Sequence, residues 1–287
     1  MRSMLFVPGD SPRKFARALT GAADALILDL EDSVAVAGKA AARATVREML
    51  DGRGAQALFV RVNAFDTGLT VADLAVVMPG RPNGIVLPKS ESVADVVRLS
   101  TLLDAFEAAF GLSAGATGIV AIATETARSL FGLSSYAGAG PRLRGLMWGA
   151  EDLTASLGAT GNRTGRHYHS PYVQARDLCL AGAAAAGVLA IDTVYTDIDD
   201  LEGLRAEAEA ACRDGFAAKA VIHPKHVETV NSAFTPDAAA VTWARGVVAL
   251  FANSTAGVMT LDGRMIDKPH LRAAERILSR IPGPASA

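Results

Sequence analysis

The sequence predicts an α/β chain built as a (β/α)8 TIM barrel with a C-terminal arm and helix. Three observations carry that reading. Short apolar runs of about 4–6 residues recur eight times. Segments with a 3.6-residue apolar period lie between most of them. The runs are mostly Val, Ile and Leu throughout, as in strands buried on both faces, rather than alternating apolar and polar.

The runs are Ser3–Val7, Ala25–Asp29, Leu58–Val62, Gly84–Leu87, Gly118–Ala123, Leu143–Met147, Asp192–Tyr195 and Ala218–Ile222. Ser11-Pro12 reads as a helix N-cap followed by proline at the first helical position. Ser92–Phe110 and Leu201–Asp214 read as helices. A doubly wound open sheet is the alternative, but its glycine-rich phosphate turn is absent after the first run, where VPGDSPRK stands. Residues 133–145 and 158–170 are rich in Gly, Ser and Arg and read as loops. After Phe251 the chain turns irregular, then resumes a helical pattern from about Leu271 to Arg280. The expected division is therefore a catalytic barrel over 1–252 and an arm over 253–287.

Composition narrows the function. Of 287 residues, 50% are hydrophobic and 20% charged, enough apolar material for a large core. A formal net charge of −2 gives no basic field for nucleic acid. No apolar run reaches the roughly 18 residues of a membrane span. The N-terminal apolar run breaks at Pro8-Gly9, too early for a secretory signal. Cys179 and Cys212 lack metal or redox spacing and read as buried, reduced thiols. A cytoplasmic protein that binds neither nucleic acid nor membrane is expected.

In such barrels the chemistry sits at the carboxyl ends of the strands. The second run ends in Asp29-Leu30-Glu31-Asp32, three acids in four residues that repel one another unless a cation is near. Arg61 lies inside an apolar run, so it either pairs with an internal acid or binds an anionic ligand; the ligand reading is preferred. Glu125 and Asp152 follow the fifth and sixth runs, where each could simply cap a helix or act as a ligand. Two carboxylates without Cys or His suit a hard cation, and Mg²⁺ fits because it fills its shell with water and substrate. No lysine is expected within a strand interior. Lys89 follows Pro88 at a strand end, which leaves a Schiff-base aldolase as the alternative chemistry. His223 reads as a structural hydrogen-bonding residue beside Pro224, and His167 and His169 as loop histidines.

The segments RSMLFVPG (2–9), DLEDSV (29–34), KAAAR (39–43), VRVN (60–63), GIVLPKSE (84–91), ATET (123–126), WGAEDLTASLG (148–158), KAVIHP (219–224) and GRMIDKP (263–269) occur in this order along the chain. On these the chain resembles the citrate lyase β-subunit-like family of the HpcH/HpaI aldolase superfamily. The resemblance implies a lyase that cleaves or condenses 3-hydroxyacyl-CoA thioesters, such as citryl-, malyl- or citramalyl-CoA. The products are an acyl-CoA and a small 2-oxo acid, and the assembly is a homotrimer or hexamer. By motif, Glu125 and Asp152 match Mg²⁺ ligands and Arg61 the arginine that contacts the small acid. Asp267 matches an aspartate that the arm delivers to a neighbouring subunit. Phe6, Arg13 and Arg17 match positions on the CoA side. Asp29 and Asp32 are candidates for substrate or metal-bound water. Phe6 stands where the family often has Tyr. The alternatives are a β-type subunit that works only with an acyl carrier protein, a malyl-CoA thioesterase, or a pyruvate-type aldolase.

Overall fold

Seven of the eight apolar runs become strands within one residue of their expected ends. The computed structural model describes residues 1–252 and 257–281. Along it lie β1 (Ser3–Pro8), α1 (Pro12–Leu19), β2 (Ala25–Asp29), α2 (Lys39–Asp51), β3 (Ala57–Arg61) and α3 (Thr70–Val77). Then come β4 (Gly84–Leu87), α4 (Val93–Ala109), β5 (Gly118–Ile122), α5 (Ser129–Gly132), β6 (Leu143–Met147) and α6 (Glu151–Ser156). A small hairpin, β7 (Arg163–Thr164) and β8 (His167–Tyr168), precedes α7 (Ser170–Ala186), β9 (Leu189–Asp192), α8 (Leu201–Asp214), β10 (Ala218–Val221) and α9 (Pro224–Phe234). The chain continues through α10 (Ala238–Ala252), β11 (Val258–Leu261), β12 (Arg264–Asp267) and α11 (Lys268–Ser279).

Eight parallel strands close in the order β1-β2-β3-β4-β5-β6-β9-β10, and β10 pairs back to β1. This is the TIM barrel. Alternate residues point inward, and Met4, Ile27, Phe59, Val86, Val120, Met147, Ile191 and Ala220 fill the centre. Each large aliphatic side chain so buried contributes about 1.5–3 kcal/mol of transfer free energy. Gly9 lets the turn after β1 press on β2: a Cβ there would lie 2.6 Å from the Asp29 carbonyl oxygen.

Three expectations need correction. The seventh strand is Leu189–Asp192, not Asp192–Tyr195, because the ladder with β10 ends at the Asp192–Lys219 pair. Lys219 does sit inside a strand. It occupies the face opposite the core residues Ala218 and Ala220, where its ammonium lies 2.7 Å from both Asp192 and Glu207. Cys179 is buried and Cys212 only partly so, and neither forms a disulfide.

By contacts the chain divides into Met1–Val230 and Asn231–Ala287. In the second unit α10, the β11–β12 hairpin and α11 share a core of Ala244, Val247, Ile266 and Ala274. α11 begins at Lys268, three residues before its expected start, with Asp267 as N-cap and Pro269 in the first turn. The expected start of the arm (253–256) and the last six residues (282–287) lie outside the described residues. Among the described residues no helix is long and apolar enough to cross a membrane.

Candidate active site

Parallel register sets the first pair of functional groups side by side. Asp29 and Arg61 are Cα partners in the β2–β3 ladder. Each stands two residues beyond a core residue, Ile27 and Phe59, so both point into the barrel mouth. Arg61 Nε and Nη2 donate to the two oxygens of Asp29 at 2.7 and 2.8 Å. Its Nη1 lies 2.7 Å from Glu31 Oε2 and 3.7 Å from Asp32 Oδ2. The guanidinium also sits 4.9 Å from the centroid of the Phe6 ring. Of the two sequence readings for Arg61, the structure shows the internal pairing, and Arg61 still lines the cavity.

Asp29 is fully engaged. Besides Arg61 it accepts from the amides of Glu31 and Ser33 at 2.9 and 3.1 Å. Those bonds and Arg61 hold its carboxyl below the usual range against the opposing effect of burial. Asp29 therefore positions the arginine and the acidic turn, while Asp32 stays exposed at the rim. Lys39 ties the same turn down from α2, donating to the carbonyls of Leu30 and Glu31 at 2.8 and 2.9 Å. Arg43, one helical turn on, donates to Asp73 at 2.7 Å, and Asp73 accepts from Asn63 at the end of β3. The KAAAR segment thus braces two loops of the mouth.

Across the mouth, Glu125 is buried just beyond β5. Its Oε2 accepts the Lys89 amide at 2.6 Å; among the described residues its Oε1 accepts no hydrogen bond. Burial, then the charges of Glu31 and Asp152, push its carboxyl up to about 8 against the Lys89 amide and Arg61. The Lys89 ammonium lies 2.5 Å from Glu31 Oε1 and 3.3 Å from Asp152 Oδ1. These acids raise the Lys89 pKa despite burial. A lysine held so firmly as ammonium is a poor Schiff-base nucleophile. Glu151 also borders the mouth cavity, and its Oε1 accepts from Asn162 at 2.9 Å.

These groups surround one cavity of about 430 Å³. Asp29, Asp32, Arg61, Glu125 and Asp152 form its polar side, and Phe6, Ile122, Met147, Trp148, Val194 and Ile222 its apolar side. The Trp148 indole is fixed by a 2.6 Å bond to Asp192, which Lys219 neutralises. A larger surface depression on α7, about 680 Å³, has Asp177 as its sole charged lining residue, so the mouth is the better site. Arg13 and Arg17 are exposed on α1, outside the cavity lining. Asp267 belongs to the second unit, where it caps α11 and its Oδ1 lies 2.5 Å from His270 Nδ1. His223 accepts the Lys225 amide at 3.2 Å and does not line the cavity.

The donor set fits a divalent cation. Asp29, Glu31, Asp32, Glu125 and Asp152 crowd together against Arg61 and Lys89, so carboxylates outnumber cations. A buried carboxylate with one oxygen unclaimed is what an oxygen-seeking ion needs. Among the described residues no three acidic, His or Cys side chains form a ready-made cage. The fit is therefore to an ion that takes one or two carboxylates and completes its shell from water and ligand. Sequence reasoning named Lys89 only as a possible Schiff-base lysine, not as a partner of the carboxylates, and gave Lys39, Arg43 and Gly149 no role. The brace and the close approach have no one-dimensional pattern, whereas a lysine directly after a Pro-terminated strand was a usable signal.

Fold and site together define a barrel enzyme with an acidic cavity at its mouth. The chain belongs to the HpcH/HpaI aldolase/citrate lyase family, whose model matches residues 2–224. The citrate lyase subunit beta-like protein of Mycobacterium tuberculosis is 38% identical over 278 residues, covering 96% of this chain and 94% of that protein. The L-malyl-CoA/beta-methylmalyl-CoA lyase of Cereibacter sphaeroides is 34% identical over 298 residues, covering 96% and 93%. The crystal structure of CitE from M. tuberculosis in complex with magnesium, acetoacetate and coenzyme A superposes with a TM-score of 0.77 at 36% identity, covering 97% of each chain.

Proposed function

We propose that the chain is an Mg²⁺-dependent carbon–carbon lyase. It cleaves, or forms by condensation, a 3-hydroxyacyl-CoA thioester, with an acyl-CoA and a 2-oxo acid as the other side of the equilibrium. The observation that carries this reading is the single cavity shared by Glu125, Asp152 and Arg61. The relatives support it. One is named a malyl-CoA/methylmalyl-CoA lyase, and a similar structure holds magnesium, acetoacetate and coenzyme A.

Glu125 and Asp152 would hold the ion. Bound there, it supplies Lewis-acid polarisation of the substrate's carboxylate and hydroxyl oxygens, worth several kcal/mol of barrier. Arg61, locked by Asp29, faces the small acid and opposes the charge that develops in the transition state. In cleavage a base takes the hydroxyl proton, the oxygen's electron pair forms the carbonyl of the 2-oxo acid, and the carbon–carbon bond breaks. Its electron pair passes to the acyl carbon, where Asp267 of a neighbouring copy donates a proton. In condensation the same carboxylate removes that proton, a role worth about 10²–10⁴-fold. Trp148, Met147 and Val194 exclude water from the apolar side. Arg13 and Arg17, four apart on α1, present two cations from one helix face to the phosphates of CoA. Such sharing of Asp267 requires an oligomer, a trimer or hexamer on the family's pattern.

The test is to incubate the lone chain and Mg²⁺ with acetyl-CoA or propionyl-CoA and glyoxylate, pyruvate or oxaloacetate, and to identify products by mass. A new 3-hydroxyacyl-CoA is expected, lost in excess EDTA and in Glu125→Gln or Asp152→Asn. Undiminished turnover in EDTA, or no condensation product from any pair, refutes the reading. Free CoA released from malyl-CoA without glyoxylate identifies a thioesterase instead.

A further inference from the structure

Lys89 stands out on three separate observations. It follows Pro88 at the end of β4 with φ 52, a left-handed backbone that is strained for a non-glycine residue. In that conformation its amide holds Glu125 Oε2. Its ammonium reaches the other way, to Glu31 and Asp152. One residue thus touches three of the carboxylates in the mouth, two by charge and one by backbone.

The two ionic contacts are unequal. The Glu31 contact is short, and Glu31 also has Arg61. The Asp152 contact is longer, both side chains there are about a third exposed, and among the described residues Lys89 is the only cation at Asp152. Rotation of the lysine tail alone would release Asp152 while the amide kept its hold on Glu125.

We propose that the Lys89 ammonium is a built-in counter-charge that holds the acidic mouth together before a divalent cation arrives and surrenders Asp152 to that cation, so that Lys89 sets the metal affinity of the site. This rests on the reading of Glu125 and Asp152 as metal ligands. Lys89 is a positioning residue here. Through its backbone it orients one ligand, and through its side chain it competes for the other.

Removing the charge but not the amide separates the two roles. The test measures Mg²⁺ binding by calorimetry at low ionic strength, where screening is weakest, and melting with and without Mg²⁺. The full-length chain is compared with Lys89→Met, Lys89→Gln, Lys89→Arg and Glu125→Gln. Lys89→Met and Lys89→Gln are expected to melt lower without metal, yet to bind Mg²⁺ about tenfold more tightly, since no cation contests Asp152. Lys89→Arg, which keeps the charge, should bind like the wild type. A purely structural lysine would lower stability and affinity together. Equal or weaker Mg²⁺ binding in both uncharged variants, while the wild type binds, therefore overturns the counter-charge proposal and leaves the metal site standing. If the wild type binds no Mg²⁺, or Glu125→Gln binds it equally well, the metal-ligand reading itself fails and the proposal falls with it.

Discussion

A methyl group at Gly149 would stand 2.8 Å from Cγ of Glu125 and 3.4 Å from its Oε1. The backbone there is pinned, because the Gly149 amide donates to Thr124 Oγ1 at 2.9 Å. β5 and β6 therefore meet so closely at their carboxyl ends that Glu125 fits only because its neighbour lacks a side chain. Gly149→Ala should push the carboxylate off its position under the Lys89 amide. The expected cost is about 1–3 kcal/mol of stability, typical of overpacking, with a marked loss of Mg²⁺ affinity. Thermal melting and calorimetry on the same variant check it; native affinity in a stable Gly149→Ala protein would show that Glu125 is not held by this contact.

The raised Glu125 carboxyl gives the metal-free protein a defined pH response. Between the ordinary carboxylate range and about 8, the folded chain keeps a proton that the unfolded chain has lost. Stability must then fall as pH rises through that window, because the folded state binds more protons there. Glu31, also raised by burial, adds to the same slope. Asp29, held low, acts only in the acid range. Mg²⁺ must displace the Glu125 proton, so its affinity should climb by up to about tenfold per pH unit and level off above about 8. Melting curves with and without Mg²⁺ across this range test it. A magnesium-induced shift that is flat with pH would contradict the assignment.

The acidic turn depends on Lys39. Its ammonium satisfies two carbonyls directly beneath Glu31, and charge-assisted hydrogen bonds of this kind contribute about 1.5–3 kcal/mol. Lys39→Met should lower the melting temperature accordingly. By loosening Glu31 it should also loosen the Arg61 clamp, raising KM for the 2-oxo acid more than it lowers kcat. Unchanged KM in a destabilised variant would confine Lys39 to a structural role.

The barrel was legible because strands buried on both faces read as unbroken apolar runs. The same signal misplaced the seventh strand. The stretch Leu189–Tyr195 holds two overlapping apolar windows, and only pairing to β10 selects the first. Asp29, Arg61, Glu125 and Asp152 could be found because polar residues at the carboxyl ends of barrel strands are conspicuous there. That Arg61 would be clamped by Asp29 and Glu31 was not legible, since the pairing depends on register between β2 and β3. The β7–β8 hairpin hid inside a segment read as a loop, although Gly165, with φ 57 at its turn, is a recognisable hairpin signal. Lys219 escaped because its partners lie 12 and 27 residues away, on α8 and β9.

Asp267 supplies the sharpest test of a shared site. Asp267 is the N-cap of α11 in a capping box with His270, so Asp267→Ala would confuse loss of the cap, about 1 kcal/mol, with loss of a proton donor. Asn is as good a cap as Asp but cannot carry the proton. Asp267→Asn should therefore melt like the wild type and yet be inactive. Glu125→Gln, with its site broken but its arm intact, should be inactive as well. Mixing the two after dissociation and reassembly creates sites in which an intact Glu125 meets an intact Asp267 from another copy, and partial activity should return. A mixture as inactive as its parents, with exchange of chains confirmed by mass, would place Asp267 outside the reaction.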